Sequence, residues 1–293
     1  MKGRVYSTMT IAGFSVTILA AASMLMAADG QQKKTFPTCK NPRVSLTNFI
    51  GSVSVQGWGK PEVQAVYRVA FTPGVEVDAD DMALKGKAQK VHFETHLLNT
   101  QARGGNETVD YVLDVPSNAS LEIRNPQGSV HIAGLKGDIW VESVGGSISA
   151  VDIAGQLTLR SLGGAIEVIR PSGYIEASTV TGDMHIISPL SSRVRANTTS
   201  GKIYYQGNLA PAGVYVLSSY SGDIIVDCPR SSSFELNARS VHGKLDNELR
   251  LTPKQHEAFS PRYGNGLFGT HNQGEATLEV TSYTGSIHIR PQQ

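Results

Sequence analysis

The chain has 293 residues, room for one large domain or two small ones. Lys plus Arg number 26 against 25 for Asp plus Glu, so no net field exists to draw in nucleic acid or an anionic membrane surface. Charged residues make up 17%, below the average of about 25%, and 30 glycines exceed the usual share of about 7%, a balance that suits a turn-rich all-β chain.

Lys2 and Arg4 precede an uncharged, largely apolar run from Met9 to Ala28, and Ala27 and Ala28 offer a small-residue cleavage site. Residues 1–28 therefore read as a secretory signal, with an uncleaved membrane anchor as the alternative and the only membrane attachment the sequence offers. Residues 29–43 read as a linker. Cys39 and Cys228 are the only cysteines. An oxidising export compartment would allow one disulfide between them, and two separate small buried thiols are the other reading.

A module begins at Val44, Leu46, Asn48, Gly51, Val53, Val55: apolar residues seven and five before a glycine, Ser, Thr or Asn three before it, and mostly apolar residues two and four after, Asn247 being the exception. It is interrupted at once by an insertion, residues 56–118. There Val63 to Phe71, Val91 to Leu97 and Val109 to Val115 each alternate with period two, which predicts half-buried strands forming a small meander over one end or side of the repeat.

From Gly128 to Gly182 a glycine falls every ninth residue, and the full module recurs at Gly128, Gly146, Gly164, Gly182, Gly201, Gly222, Gly243 and Gly285. The last interval, 42 residues, holds the polar stretch Leu249 to Gly274, which reads as a loop replacing one turn of the repeat; residues 248–275 thus form a second insertion in a single domain spanning 44–293. Two short strands per module and a return after about 18–21 residues predict a single-stranded parallel β-solenoid, right-handed by the crossover rule. Inward columns are Ile139, Leu157, Ile175, Val194 and Ile148, Ile166, Met184, Ile203. Ser143, Ser161, Thr179, Thr198, Ser219, Ser240 and Ser282 are placed to satisfy backbone groups at the glycine corner. Asp183, Lys202, Asp223 and Lys244, each just after its glycine, form an expected ladder of alternating charge. Pro171, Pro189 and Pro229 end strands at the opposite corner.

A nine-residue glycine repeat invites comparison with calcium-binding toxin nonapeptides, but the aspartate spacing those need never recurs, so no calcium and no other cofactor is expected. His92, Glu94 and His96 share a strand face, yet at about 3.3 Å per residue the two histidines stand about 13 Å apart, and a solvated face is preferred to a metal site. On one outer face Glu167 and His185 fall on adjacent coils, the best acid–base pair available, though no paired carboxylates or basic cluster accompany them. On the other, the column Glu122, Trp140, Thr158, Glu176, Arg195 presents an indole. Trp140 is either a sugar-stacking platform or a residue covered by the 56–118 meander; Glu176 and Arg195 read as a surface ion pair.

Gly51-Ser-Val-Ser-Val-Gln-Gly-Trp58, Val112-Leu-Asp-Val-Pro116, Thr-Ser-Gly-Lys-Ile203, Tyr-Ser-Gly-Asp-Ile224 and Tyr-Thr-Gly-Ser-Ile287 resemble the β-strand repeats of a bacterial exported, adhesin-like family of unknown function. The resemblance covers about residues 40–290 and carries over no catalytic residues. It implies a non-enzymatic protein of the periplasm, cell surface or extracellular space that presents flat sheet faces to a glycan or an envelope protein. A carbohydrate-active enzyme on the same scaffold and a self-assembling structural element are the alternatives. Ligand and oligomeric state stay open at this level.

Overall fold

A computed structural model describes residues 25–26, 31–69, 75–97, 108–253 and 264–292, and among these every regular element is a strand. Leu25–Met26 pair antiparallel with Lys33 and Gln32; the rest of the expected signal segment lies outside the described residues.

Through the middle of the chain, strands fall alternately into two ladders. The first contains Ile139–Ser143, Ala154–Ser161, Ser172–Thr179, Arg193–Thr198 and Val214–Ser219. The second contains Ile148–Val151, Ile166–Ile169, Met184–Ile187, Ile203–Gln206 and Ile224–Cys228. Each strand pairs in parallel with the strand two further on, so that Ile139 faces Leu157, Leu157 faces Ile175, and Ile148 faces Ile166. The glycine spacing is thus the ladder register. Both expected inward columns are fully buried, from Ile139 to Val194 and from Ile148 to Ile203. Burying each such side chain contributes roughly 1.5–3 kcal/mol, against the cost of ordering the backbone.

The corner between the ladders explains the module. A Cβ built on Gly182 would overlap the carbonyl oxygen of Gly164, and the same holds for Gly164 on Gly146 and Gly201 on Gly182. Successive corners nest backbone on backbone, and only glycine leaves the room. Three residues earlier, the buried hydroxyl accepts the glycine's N–H: Gly164 donates to Ser161 Oγ at 2.9 Å, Gly201 to Thr198 Oγ1 at 3.0 Å and Gly222 to Ser219 Oγ at 2.8 Å. A donor that the ladder cannot pair is satisfied locally. At the opposite corner, strands end at Ile169, Ile187 and Cys228 shortly before Pro171, Pro189 and Pro229.

The N-terminal end differs from expectation. Residues 31–43, read as a linker, belong to one long strand, Gln31–Thr47, that crosses from ladder to ladder. Its first half runs antiparallel to Glu62–Val69, and its second half lies parallel between Lys87–Leu97 and Ser120–Arg124. Lys33, Lys40 and Arg43 gave it a polar composition, but they point outward while Phe36, Thr38, Val44 and Leu46 are buried. Residues of the 56–118 insertion extend both ladders at that end: Val109–Pro116 continues the second in parallel, and Val75–Leu84 closes the first antiparallel to Lys87–Leu97. Phe36, Phe93, Tyr67 and Tyr111 pack ring against ring beneath it.

The C-terminal end is out of chain order. Val214–Ser219 pairs with Ala276–Ser282, not with Phe234–Ser240, and Ile224–Cys228 pairs with Ile287–Pro291. Phe234–Ser240 and Leu245–Asn247 lie beyond that last-made layer. The corner glycines therefore stack as Gly222, Gly285, Gly243. This overturns the reading of Leu249 to Gly274 as a loop replacing a turn. Asn265–His271 returns as a strand antiparallel to Phe234–Ser240 and covers it, while residues 254–263 lie outside the described set. The charge ladder breaks at its last step for the same reason: Asp183, Lys202 and Asp223 follow one another on adjacent layers, but Ser286 stands between Asp223 and Lys244. The aspartates have another task, for Asp183 Oδ1 accepts the Lys202 N–H and Asp223 Oδ1 the Ser286 N–H, each at 2.8 Å.

Cys39 and Cys228 are both free thiols. Six layers separate their strands, roughly 29 Å at the ladder spacing, far beyond the roughly 7 Å Cα limit for a disulfide. Burial pushes the Cys228 thiol up to about 11, so it is protonated at neutral pH.

Candidate functional site

The outward faces of the ladders carry the chemistry, and the register decides which side chains meet. Trp140 lies in the first ladder between Glu122 and Thr158, half-buried. A groove of about 340 Å³ runs beside it, lined by Arg43, Glu122, Asp138, Gln156 and Thr158 among others. Arg124 lies over the indole, 5.2 Å from its centroid, and pairs with Glu122 at 3.2 Å. Among the described residues, none of 56–118 lines the groove. The described strands of the insertion, Val75–Leu84 and Val109–Pro116 among them, extend the ladders instead of folding over this face. The groove combines an aromatic ring with planar hydrogen-bonding groups of both signs, a set able to hold a polyhydroxylated ligand.

Glu167 and His185 are register partners in the second ladder, so they share neither a strand nor a ladder with Trp140. No hydrogen bond links them. Glu167 accepts a long one from Ser149 Oγ at 3.4 Å, and His185 packs against the Tyr204 ring at 5.8 Å. The three residues expected from the sequence as a ligand surface are therefore two separate places. Glu176 and Arg195 are also register partners, but Glu176 accepts from Tyr174 Oη at 3.3 Å rather than pairing with the arginine.

At the N-terminal end, His92 Nε2 and His96 Nε2 lie 3.3 and 3.9 Å from Glu94 Oε2, and His96 Nε2 lies 3.1 Å from Asp78 Oδ2. A carboxylate sits between the two imidazoles, and Ser45 Oγ meets His92 Nδ1 at 2.8 Å. Among the described residues, no group of three or more His, Cys, Asp or Glu is arranged to hold a metal ion.

One constellation escaped the sequence. Asp227 Oδ1 accepts from Arg290 Nε at 2.9 Å, and its Oδ2 accepts from Arg290 Nη2 at 3.0 Å and from Tyr204 Oη at 2.9 Å. Burial raises the Tyr204 phenol above its ordinary value, and the bond to Asp227 adds to this; the same carboxylate raises the Arg290 guanidinium. Asp227 and Arg290 are 63 residues apart and meet only because the last strand inserts out of order. No spacing in the sequence signals that.

No family model matches the chain, and no curated protein matches it. Solved structures that resemble it weakly include three bacterial proteins. An inferred adhesin from Bacteroides fragilis NCTC 9343 gives a TM-score of 0.46 at 11% identity, covering 89% of this chain and 96% of that one. Another from Parabacteroides merdae ATCC 43184 gives 0.33 at 10%, covering 91% and 98%. An inferred cell adhesion protein from Clostridium sporogenes ATCC 15579 gives 0.28 at 9%, covering 89% and 100%. At such scores and identities, the functional reading is left to this chain's own residues.

Proposed function

We propose that this chain is a non-enzymatic binding protein of the bacterial envelope or surface, a right-handed β-solenoid that takes a glycan in the groove beside Trp140. The observation that carries the reading is the half-buried indole beside a groove on the outer face, with Arg124 over one side of the ring and Arg43, Glu122, Asp138 and Gln156 around it. An aromatic ring offers its face to the C–H side of a sugar, and planar polar groups give and accept hydrogen bonds with its hydroxyls. The apolar run Met9 to Ala28 supports export. End-to-end self-assembly is disfavoured, since the first ladder finishes in antiparallel strands at both ends and the outermost one, Val75–Leu84, exposes Asp78, Asp80 and Asp81.

The test is binding of the purified full chain to an array of glycans and cell-wall polymers, with product analysis on every hit. Binding without turnover, weakened by Trp140→Ala, is the expected result. Turnover abolished by Glu167→Gln or His185→Ala would replace this reading with an enzymatic one. No binding to any glycan would contradict the groove and move the search to protein partners.

A further inference from the structure

A second cavity, of about 620 Å³, opens on the outer face of the other ladder at its C-terminal end. Its walls include Tyr204, Gln206, Asp227, Arg230, Glu248 and Arg290. Three successive strands supply its floor, because Ile287–Pro291 is wedged between Ile224–Cys228 and Leu245–Asn247. The wedge sets Arg290 against Asp227 on the strand before it, and Glu248 follows directly on the strand after it. Asp227 keeps only 13% of its side chain exposed and is held by three hydrogen bonds, so the floor is rigid before anything binds.

The hydrogen-bond inventory points to one ligand chemistry. Arg290 spends two of its five N–H groups on Asp227 and has three left; Asp227 has accepting capacity left beyond its three bonds. Exposed Arg230 adds a second guanidinium and exposed Glu248 a second carboxylate. Gln206 contributes a donor and an acceptor, and the Tyr204 ring an apolar edge. Two cations facing two anions cancel, which leaves no net attraction for a charged ligand. What remains is a dense alternation of donors and acceptors, and each sugar hydroxyl both gives and accepts a hydrogen bond.

We infer that this cavity binds a neutral oligosaccharide, without turnover, through Tyr204, Asp227, Arg230, Glu248 and Arg290. It is distinct from the Trp140 groove, on the other ladder and roughly 19 Å further along the stack at the ladder spacing. It does not depend on that groove binding anything.

Isothermal titration of the full chain tests this, with maltotriose, cellotriose, mannotriose and chitotriose as neutral probes and trigalacturonate as the anionic one. Arg230→Ala and Glu248→Gln alter exposed side chains and leave the Asp227–Arg290 floor intact; circular dichroism confirms the fold of each. At least one neutral trisaccharide is expected to bind, about tenfold or more weaker in both variants and unchanged in Trp140→Ala. Three results would overturn the inference: no neutral probe binding at about 10 mM, binding of trigalacturonate alone, or binding that survives both variants. A loss confined to Trp140→Ala would support the groove and refute this cavity.

Discussion

The middle of the stack and its C-terminal end obey the same local rules and differ in global order. From residue 121 to 228 each layer pairs with the next in the chain, and every partner is found by adding 18 to 21. From 229 to 292 the corner glycine and hydroxyl recur unchanged, with Gly243 donating to Ser240 Oγ at 2.9 Å and Gly285 to Ser282 Oγ at 3.0 Å, yet the final layer lies inside the penultimate one. The corner motif therefore specifies that layers nest and in what register, but not which layer nests on which. Order comes from groups off the corner. Asp223 receives the Ser286 N–H, Asp227 grips Arg290, and Asn265–His271 covers the outer edge of Phe234–Ser240. Covering that edge also removes unpaired backbone groups that would otherwise invite another chain.

The largest effect should come from the corner common to both regions. Gly182→Val drives a side chain into the Gly164 carbonyl and should cost more than about 3 kcal/mol or prevent folding, whereas exposed Ala165→Ser should stay within about 0.5 kcal/mol. Equal denaturation midpoints would break the account of the corner.

Next comes the device that distinguishes the C-terminal end. Asp227→Asn weakens a charge-assisted, bidentate bond and should cost about 1.5 kcal/mol. Hydrogen exchange should rise in 287–291 and stay unchanged in 139–161; a uniform rise would mean that Asp227 acts on the whole stack. Thr179→Ala or Ser219→Ala, which orphans a buried glycine N–H, should cost about 1 kcal/mol, and Thr199→Ala, one residue beyond a cap and exposed, almost nothing.

Thiol titration without reductant should find two free groups in denaturant, and Cys228 should react only after unfolding; a single intramolecular disulfide would contradict the layer count. The smallest effect belongs to the exposed pair Asp152–Arg170. The arginine's hydrogen bond holds the Asp152 carboxyl below its ordinary 3.8. Any stability it adds is therefore complete above that value and lost as pH falls through the lowered one. Asp152→Asn should leave the denaturation midpoint at pH 7 nearly unchanged.

Much of the regular body was legible, because each of its features is local. Alternation gave the buried columns, the glycine interval gave the register, and the hydroxyl three residues earlier gave the cap. The strand Gln31–Thr47 was hidden by outward lysines and by residues such as Pro37 and Pro42, which dilute an alternation that Phe36, Thr38, Val44 and Leu46 still carry. The sequence pointed to Trp140 as a candidate but could not tell how 56–118 joins the ladders, where its described strands add to the ladder ends and leave the groove beside Trp140 to other residues. The Tyr204–Asp227–Arg290 cluster was illegible for a stronger reason: a periodic sequence implies sequential stacking, and this cluster exists only where stacking is not sequential.

The order of the last layers can be tested directly by trapping. In a chain carrying Cys39→Ser and Cys228→Ala, one variant adds Ile225→Cys with His288→Cys and another adds Ile225→Cys with Asp246→Cys. Ile225 faces His288, and His288 faces Asp246, so the first pair sits one ladder step apart, about 4.8 Å, and the second two steps, about 9.6 Å, beyond reach of a disulfide. Mild oxidation followed by peptide mapping should show the 225–288 crosslink and no 225–246 crosslink. A 225–246 crosslink without the other would restore sequential stacking and contradict both the inserted layer and the cavity built on it.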